Sequence, residues 1–155
     1  MKVRSISKNK GKPVIGIAPD QPLSAAVGLM VENRFGSLVV TENDQLIGII
    51  TERDLMRVLH EKSALWSPVI VSDAMTPNPV VCHPDNTLEE VMEMMVTNNI
   101  RHLPVVYDDK LTGMLSITDI VEELLNKAHF GNKLLKNYIQ NWPDADHDDE
   151  VENRL

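Results

Sequence analysis

The sequence repeats itself. Slid by 65 positions, the chain matches itself without a gap from Pro19 to Leu124. Pro19-Asp20 falls on Pro84-Asp85, Met30-Val31 on Met95-Val96, Gly48 on Gly113 and Asp54 on Asp119. By direct count, 13 of the 41 positions from 19 to 59 are identical to their partners. Most of the others are conservative, such as Thr51 with Ser116. Self-similarity at one fixed offset marks a duplicated unit. A unit of about 50 to 60 residues buries too little surface to be stable alone, so the two copies should pack on each other.

Both copies read alike. A short apolar stretch, Pro13 to Ile17 and Pro79 to Cys82, precedes Pro-Asp. A helix follows, with Leu23, Ala26, Val27, Met30 and Val31, or Leu88, Val91, Met92, Met95 and Val96, at a 3.6-residue period. Asp85 to Thr87 offers an N-cap, and Glu89-Glu90 suit the positive end of the helix dipole. Two β-rich runs come next, Leu38–Thr41 with Leu46–Ile50 and Leu103–Tyr107 with Leu111–Leu115, each pair split by a polar turn. A second helix is expected from about Asp54 to Glu61 and from about Asp119 to His129. The expected fold is therefore α/β (α+β): two β-α-β-β-α repeats, 13–62 and 78–128, packed with pseudo-twofold symmetry. The linker is 63–77, with Trp66 as an expected plug. Beyond the repeats, Leu134, Leu135, Tyr138, Ile139 and Trp142 are at helical spacing, which predicts a C-terminal helix over 130–142. An acidic tail, 143–155, is expected to be disordered.

Composition narrows the function. Aromatics are 4% of 155 residues, and the eight Met outnumber all Phe, Tyr and Trp, so core and ligand walls alike must be aliphatic. The net charge of −8 argues against general nucleic-acid binding. It is unevenly spread: +5 on the N-terminal arm 1–12, −5 on 143–155 and −8 between them. One cysteine, Cys82, excludes an internal disulfide and a thiolate zinc cluster. The basic start has no apolar run, and no window approaches a membrane span. A cytoplasmic protein with no membrane or nucleic-acid partner is the expectation. Cys82 and His83 are neighbours on a strand-like segment and so face opposite ways, and the five His show no ligand spacing. No catalytic centre or metal site is read here.

The runs Gly48-Ile-Ile-Thr-Glu-Arg-Asp-Leu55 and Gly113-Met-Leu-Ser-Ile-Thr-Asp-Ile120, with Asp73-Ala-Met-Thr76 and Arg101-His-Leu-Pro-Val-Val106, resemble the CBS domain, named after cystathionine beta-synthase. The likeness covers both copies and is similar to small stand-alone CBS-pair proteins of bacteria. It implies a tandem pair, or Bateman module, that binds adenine nucleotides (AMP, ATP or NAD) as regulatory ligands between the copies, with no required cofactor. It also implies a homodimer and an unidentified effector protein.

The resemblance assigns Asp54 and Asp119 to ribose hydroxyls, and Thr51, Ser116 and Thr118 to phosphate at a helix N-terminus. Arg53 and Arg101 are the natural guanidinium partners of phosphate, with His102 a further candidate. Adenine would lie against Val14, Ile15, Gly36 and Ser37 in one copy, and Val80, Leu103 and Pro104 in the other. Each assignment has a structural counterpart. Ser/Thr-x-x-acid before a helix is also a capping box, and Gly36 could be a helix C-cap. Two function classes follow: a nucleotide-sensing regulatory module, or a dimerisation scaffold whose motifs are only caps.

Overall fold

The computed structural model describes residues 1–10, 14–62 and 68–127. The expected linker residue Trp66, the C-terminal helix and the acidic tail lie outside the described residues. Helix α1 (Val3–Lys10) comes first. The first repeat then runs β1 (Gly16–Ile17), α2 (Leu23–Asn33), β2 (Ser37–Glu42), β3 (Gln45–Thr51) and α3 (Glu52–Glu61). A short helix α4 (Val71–Ala74) and strand β4 (Thr76–Pro77) lead to the second repeat: α5 (Leu88–Asn98), β5 (His102–Tyr107), β6 (Lys110–Ser116) and α6 (Ile117–Lys127). The architecture is mixed α+β, as the repeat pattern predicts. Both second helices begin two residues earlier than expected, because strand runs directly into helix at Thr51 and at Ser116.

The strand order is β1-β2-β3-β4 in the first repeat, parallel between β1 and β2 and antiparallel thereafter. In the second repeat β5 and β6 form the hairpin, and Cys82 makes the parallel bridge to Val105 that Ile17 makes to Val40. Burial at Cys82 raises its thiol pKa to about 11, so it packs as a small apolar residue. Both hairpins turn on paired left-handed residues, Asn43-Asp44 and Asp108-Asp109. These are among the few side chains that tolerate that conformation.

Helices α2 and α5 bury Leu23, Ala26 and Met30, and Leu88, Val91 and Met95. Each buried Leu contributes roughly 1.5–3 kcal/mol. Val31 and Val96, expected on the same faces, are instead 72% and 70% exposed. A side chain one position after Met30 or Met95 is turned about 100° around the axis, beyond the edge of the buried stripe. Both helices end on a left-handed residue, Arg34 (φ 55°) and Asn99 (φ 52°). Gly36 is therefore not the C-cap. Thr87 caps α5 through a reciprocal box with Glu90, whose carboxyl pKa is lowered by the Thr87 N–H and the Asn86 side chain. Pro22 stands at the same place before α2 and has no such side-chain bond.

The first ten residues depart from the sequence expectation. Residues 3–10, read as part of a basic arm, form a helix whose Val3 and Ile6 are buried with Cys82, Leu88, Leu103 and Ile120. Their apolar signal is one i,i+3 pair among three Lys or Arg, too sparse to stand out. The segment 69–77 does the same for the first repeat, where Val69, Val71 and Ala74 join Leu23, Leu38 and Ile50. The backbone bonds correspond one for one. Val3 N donates to Asn86 O at 3.0 Å as Val71 N does to Gln21 O at 2.9 Å. Leu88 N donates to Met1 O at 3.1 Å as Leu23 N does to Val69 O at 2.9 Å. Arg4 and Lys2 also pair with Asp85. The repeat symmetry thus extends to the segments that precede each repeat, which correspond at an offset of 68 positions rather than 65.

Candidate functional site

The site residues of each copy collect at one strand-to-helix junction. Thr51 ends β3 and caps α3: its hydroxyl accepts from Asp54 N at 3.3 Å, and Asp54 Oδ2 accepts from Thr51 N at 2.9 Å. Ser116 and Asp119 repeat this at α6, with bonds of 3.2 and 2.9 Å. The capping-box alternative is therefore realised in both copies. Thr118 joins the second turn through a 2.9 Å hydroxyl pair with Ser116. A second shared feature ties the turn to the hairpin entrance. Glu52 N donates to Gly36 O at 3.1 Å, and Ile117 N to Arg101 O at 2.8 Å. The first N–H of each helix is thus engaged by the chain itself.

The two hairpin entrances meet. A Cβ on Gly36 would lie 3.6 Å from His102 Cε1 and 3.7 Å from Glu52 Cδ. Strands β3 and β6 pack beside each other. A residue of the first repeat, Gly36, therefore faces a side chain of the second, with an acid of α3 beside them. His102 is half-buried, and its imidazole pKa is lowered by that burial and by Arg101, against an upward pull from Asp119. A neutral imidazole is favoured there, able to donate and accept.

The remaining sequence candidates divide. Val14 and Ile15 are half-buried just before β1, and Ile15 packs against the first core. Ser37 is buried at the start of β2, opposite Thr51. Arg53 is exposed on the first turn of α3, and Val80 is 38% exposed. Leu103 is wholly buried in the second core, and Pro104 O accepts from Cys82 N at 2.9 Å. Leu103 therefore serves packing. Two residues escaped the sequence reading. Arg57 and Thr76 both donate to Asp54 Oδ1, at 3.4 and 3.3 Å. Arg57 stands three residues after Asp54 and was legible as a helical neighbour. Thr76 comes from β4, and nothing in the sequence signals that approach. Among the described residues no His, Cys, Asp and Glu cluster could hold a metal ion, and no helix is long and apolar enough to cross a membrane.

Two copies of one α+β unit, each with a hydroxyl-x-x-Asp turn at its strand-to-helix junction, define a tandem-repeat module. Residues 3–61 and 71–126 both match the CBS domain. The chain belongs to the CBS-domain family. The Arabidopsis thaliana protein "CBS domain-containing protein CBSX3, mitochondrial" is 32% identical over 147 residues, 89% of this chain and 71% of its own length. Two longer relatives are matched over only 33% and 22% of their lengths. Among solved structures, the CBS-domain containing protein ATU1752 from Agrobacterium tumefaciens is 35% identical with a TM-score of 0.74, over 78% of this chain and 91% of that one. CBSX2, solved in complex with AMP, is 29% identical with a TM-score of 0.66, over 74% of this chain and 90% of that one.

Proposed function

We propose that the chain is a non-catalytic regulatory module that takes an adenine nucleotide between its two repeats and passes the change on to a partner protein. The observation that carries this reading is the duplicated junction. Thr51-Glu-Arg-Asp54 and Ser116-Ile-Thr-Asp119 stand in the same relation to Gly36 and Arg101, with His102 reaching across to Gly36. A carboxylate, a hydroxyl and a helix N-terminus at one point suit ribose and phosphate. Arg53, Arg101 and His102 supply positive or neutral donors against an acidic module. The AMP complex of CBSX2 supports the ligand class. A homodimer formed through the exposed Val31 and Val96 faces belongs to the same reading.

The decisive experiment is a thermal-shift screen of the full chain with AMP, ATP and NAD, followed by calorimetry with Asp54→Ala and Asp119→Ala. A ligand that binds only the folded state must raise its melting temperature, by an increment equivalent to about 2.7 kcal/mol at a hundred times Kd. No shift at millimolar nucleotide overturns the reading. The scaffold alternative is favoured by one observation: both turns are capping boxes closed by the chain's own side chains. It predicts that Asp→Ala costs stability but changes no ligand response.

A further inference from the structure

Each repeat lays two helices on one face of its strands. Helices α2 and α3 cover Leu38, Val40 and Ile50, and α5 and α6 cover Leu103, Val105 and Leu115. The outer sides of these helices hold the three most exposed large apolar side chains among the described residues: Val31, Met56 and Val96, at 72%, 67% and 70%. The 65-residue shift relates Val31 to Val96, but their surroundings differ. Ser24, Gly28 and Val31 stand at i, i+4 and i+7, one stripe of α2. The matching stripe of α5 is Glu89, Glu93 and Val96. One stripe is small and uncharged, the other bulky and acidic. A Cβ on Gly28 would meet nothing else within 4 Å. A glycine inside a helix weakens it relative to alanine. No crowding within the chain calls for this one, so its bareness serves a body outside the chain. The charges are divided as well. Glu89, Glu90, Glu93 and Glu122 are exposed on α5 and α6, and α5 has no Lys or Arg. Arg53 and Arg57 are exposed on α3, which shares its core with α2.

We infer that two copies of the chain join head to tail, the helix layer of each first repeat lying on the helix layer of the partner's second repeat. This deepens the homodimer reading and rests on it. Were like repeats to meet, α5 would lie on the partner's α5. Four glutamates, Glu89 and Glu93 from each copy, would then crowd one contact. Like charges brought face to face oppose association and exclude that arrangement. Joined head to tail, the same glutamates fall on the bare stretch at Ser24 and Gly28, with Arg53 and Arg57 on the helix alongside. A twofold axis makes the contact twice, because residue i meeting j implies that j meets i. Both exposed valines are covered at once, and the notch of α2 receives the bulk of α5.

The test is thiol cross-linking of the full chain with a short bis-maleimide, after sedimentation velocity of the wild type. Gly28→Cys and Glu93→Cys, at the middle of α2 and of α5, are made as separate single variants. Wild type, whose Cys82 is buried, is the control. The inference expects cross-linked dimer when the two variants are mixed, and none from either variant alone. It also expects no tightening of the dimer in the double variant Glu89→Gln with Glu93→Gln. Cross-linking within either single variant overturns the head-to-tail arrangement and leaves the homodimer reading standing. So does a rise of about tenfold or more in the association constant of the double variant, which would show the acids facing one another. A wild-type dimer that cross-links in no sample overturns the inference, because its contact then lies on other surfaces. A wild type that stays monomeric overturns the homodimer reading, and the inference with it.

Discussion

Gly36 of the first repeat lies against His102 of the second, with room for one more carbon and little else: a Cβ would sit 3.6 Å from the imidazole. Gly36 is not in the left-handed region, so its small size rather than its backbone freedom is what the position uses. Gly36→Ala should cost no more than about 0.5 kcal/mol. Gly36→Arg, which installs the second copy's residue, should drive His102 and Glu52 aside and cut nucleotide affinity at least tenfold. A pair of thermal melts and a titration check both outcomes. A large loss of stability in Gly36→Ala would contradict the contact geometry.

The half-buried His102 gives the module a pH dependence. Burial first, and Arg101 second, hold its pKa below 6.5. The unfolded chain therefore takes up this proton at higher pH than the folded one. Stability from His102 is present above about 6.5 and is lost as the pH falls through the lowered folded value. Asp119 and Arg101 are the charged groups that act on it among the described residues. Urea titrations from pH 7.5 to 5 should show this decline, and His102→Gln should flatten it. An unchanged slope in His102→Gln assigns the decline to other groups.

Ile6 fills the second core from the far end of the chain, 3% exposed. Ile6→Ala should destabilise the protein by about 2–5 kcal/mol, the cost of a buried cavity. Hydrogen exchange should accelerate first in α5, around Leu88, Val91 and Met95, rather than in α2. Uniform acceleration, or loss confined to residues 14–62, would show that α1 belongs elsewhere.

Val31 and Val96 are a pseudo-symmetric exposed pair, 72% and 70% open. If a second copy covers them, as proposed, Val31→Lys with Val96→Lys should lower the dimer's association constant by at least tenfold while leaving the monomer's helices intact. Sedimentation velocity across a concentration series reads this directly. A wild-type chain that stays monomeric at tens of micromolar removes the homodimer from the proposal.

What the sequence revealed followed from local periodicity and from duplication. The helices over Leu23–Asn33 and Leu88–Asn98 and both hairpins lie within a residue or two of expectation, because a buried stripe and a tight turn each have a local chemical signature. The paired Asp54 and Asp119 were visible because the 65-residue shift superposed them. The partners of Asp54 were not. Thr76 reaches it from 22 positions away through a strand of two residues, and no local pattern encodes such a contact. Helix α1 was missed for the same reason: its single apolar pair makes sense only beside Leu88 and Ile120, which the sequence places about a hundred residues downstream at the farthest. The outward turn of Val31 and Val96 was missed because a stripe's edge depends on what covers it.

The leading segments of the two repeats are exchanged. Residues 69–77 seal the repeat that precedes them, and residues 1–6 seal the one that ends the described chain. During synthesis the first helix leaves the ribosome well before the surface it must cover exists. The first repeat can close once residue 77 is out, while the second core needs residues 1–6 together with residues 82–124. A cut anywhere in 63–67 would not release two sound halves. Each half would miss its own clasp and hold the clasp of the neighbour it had lost, so the pair should assemble, unfold and be degraded as a single interlocked object.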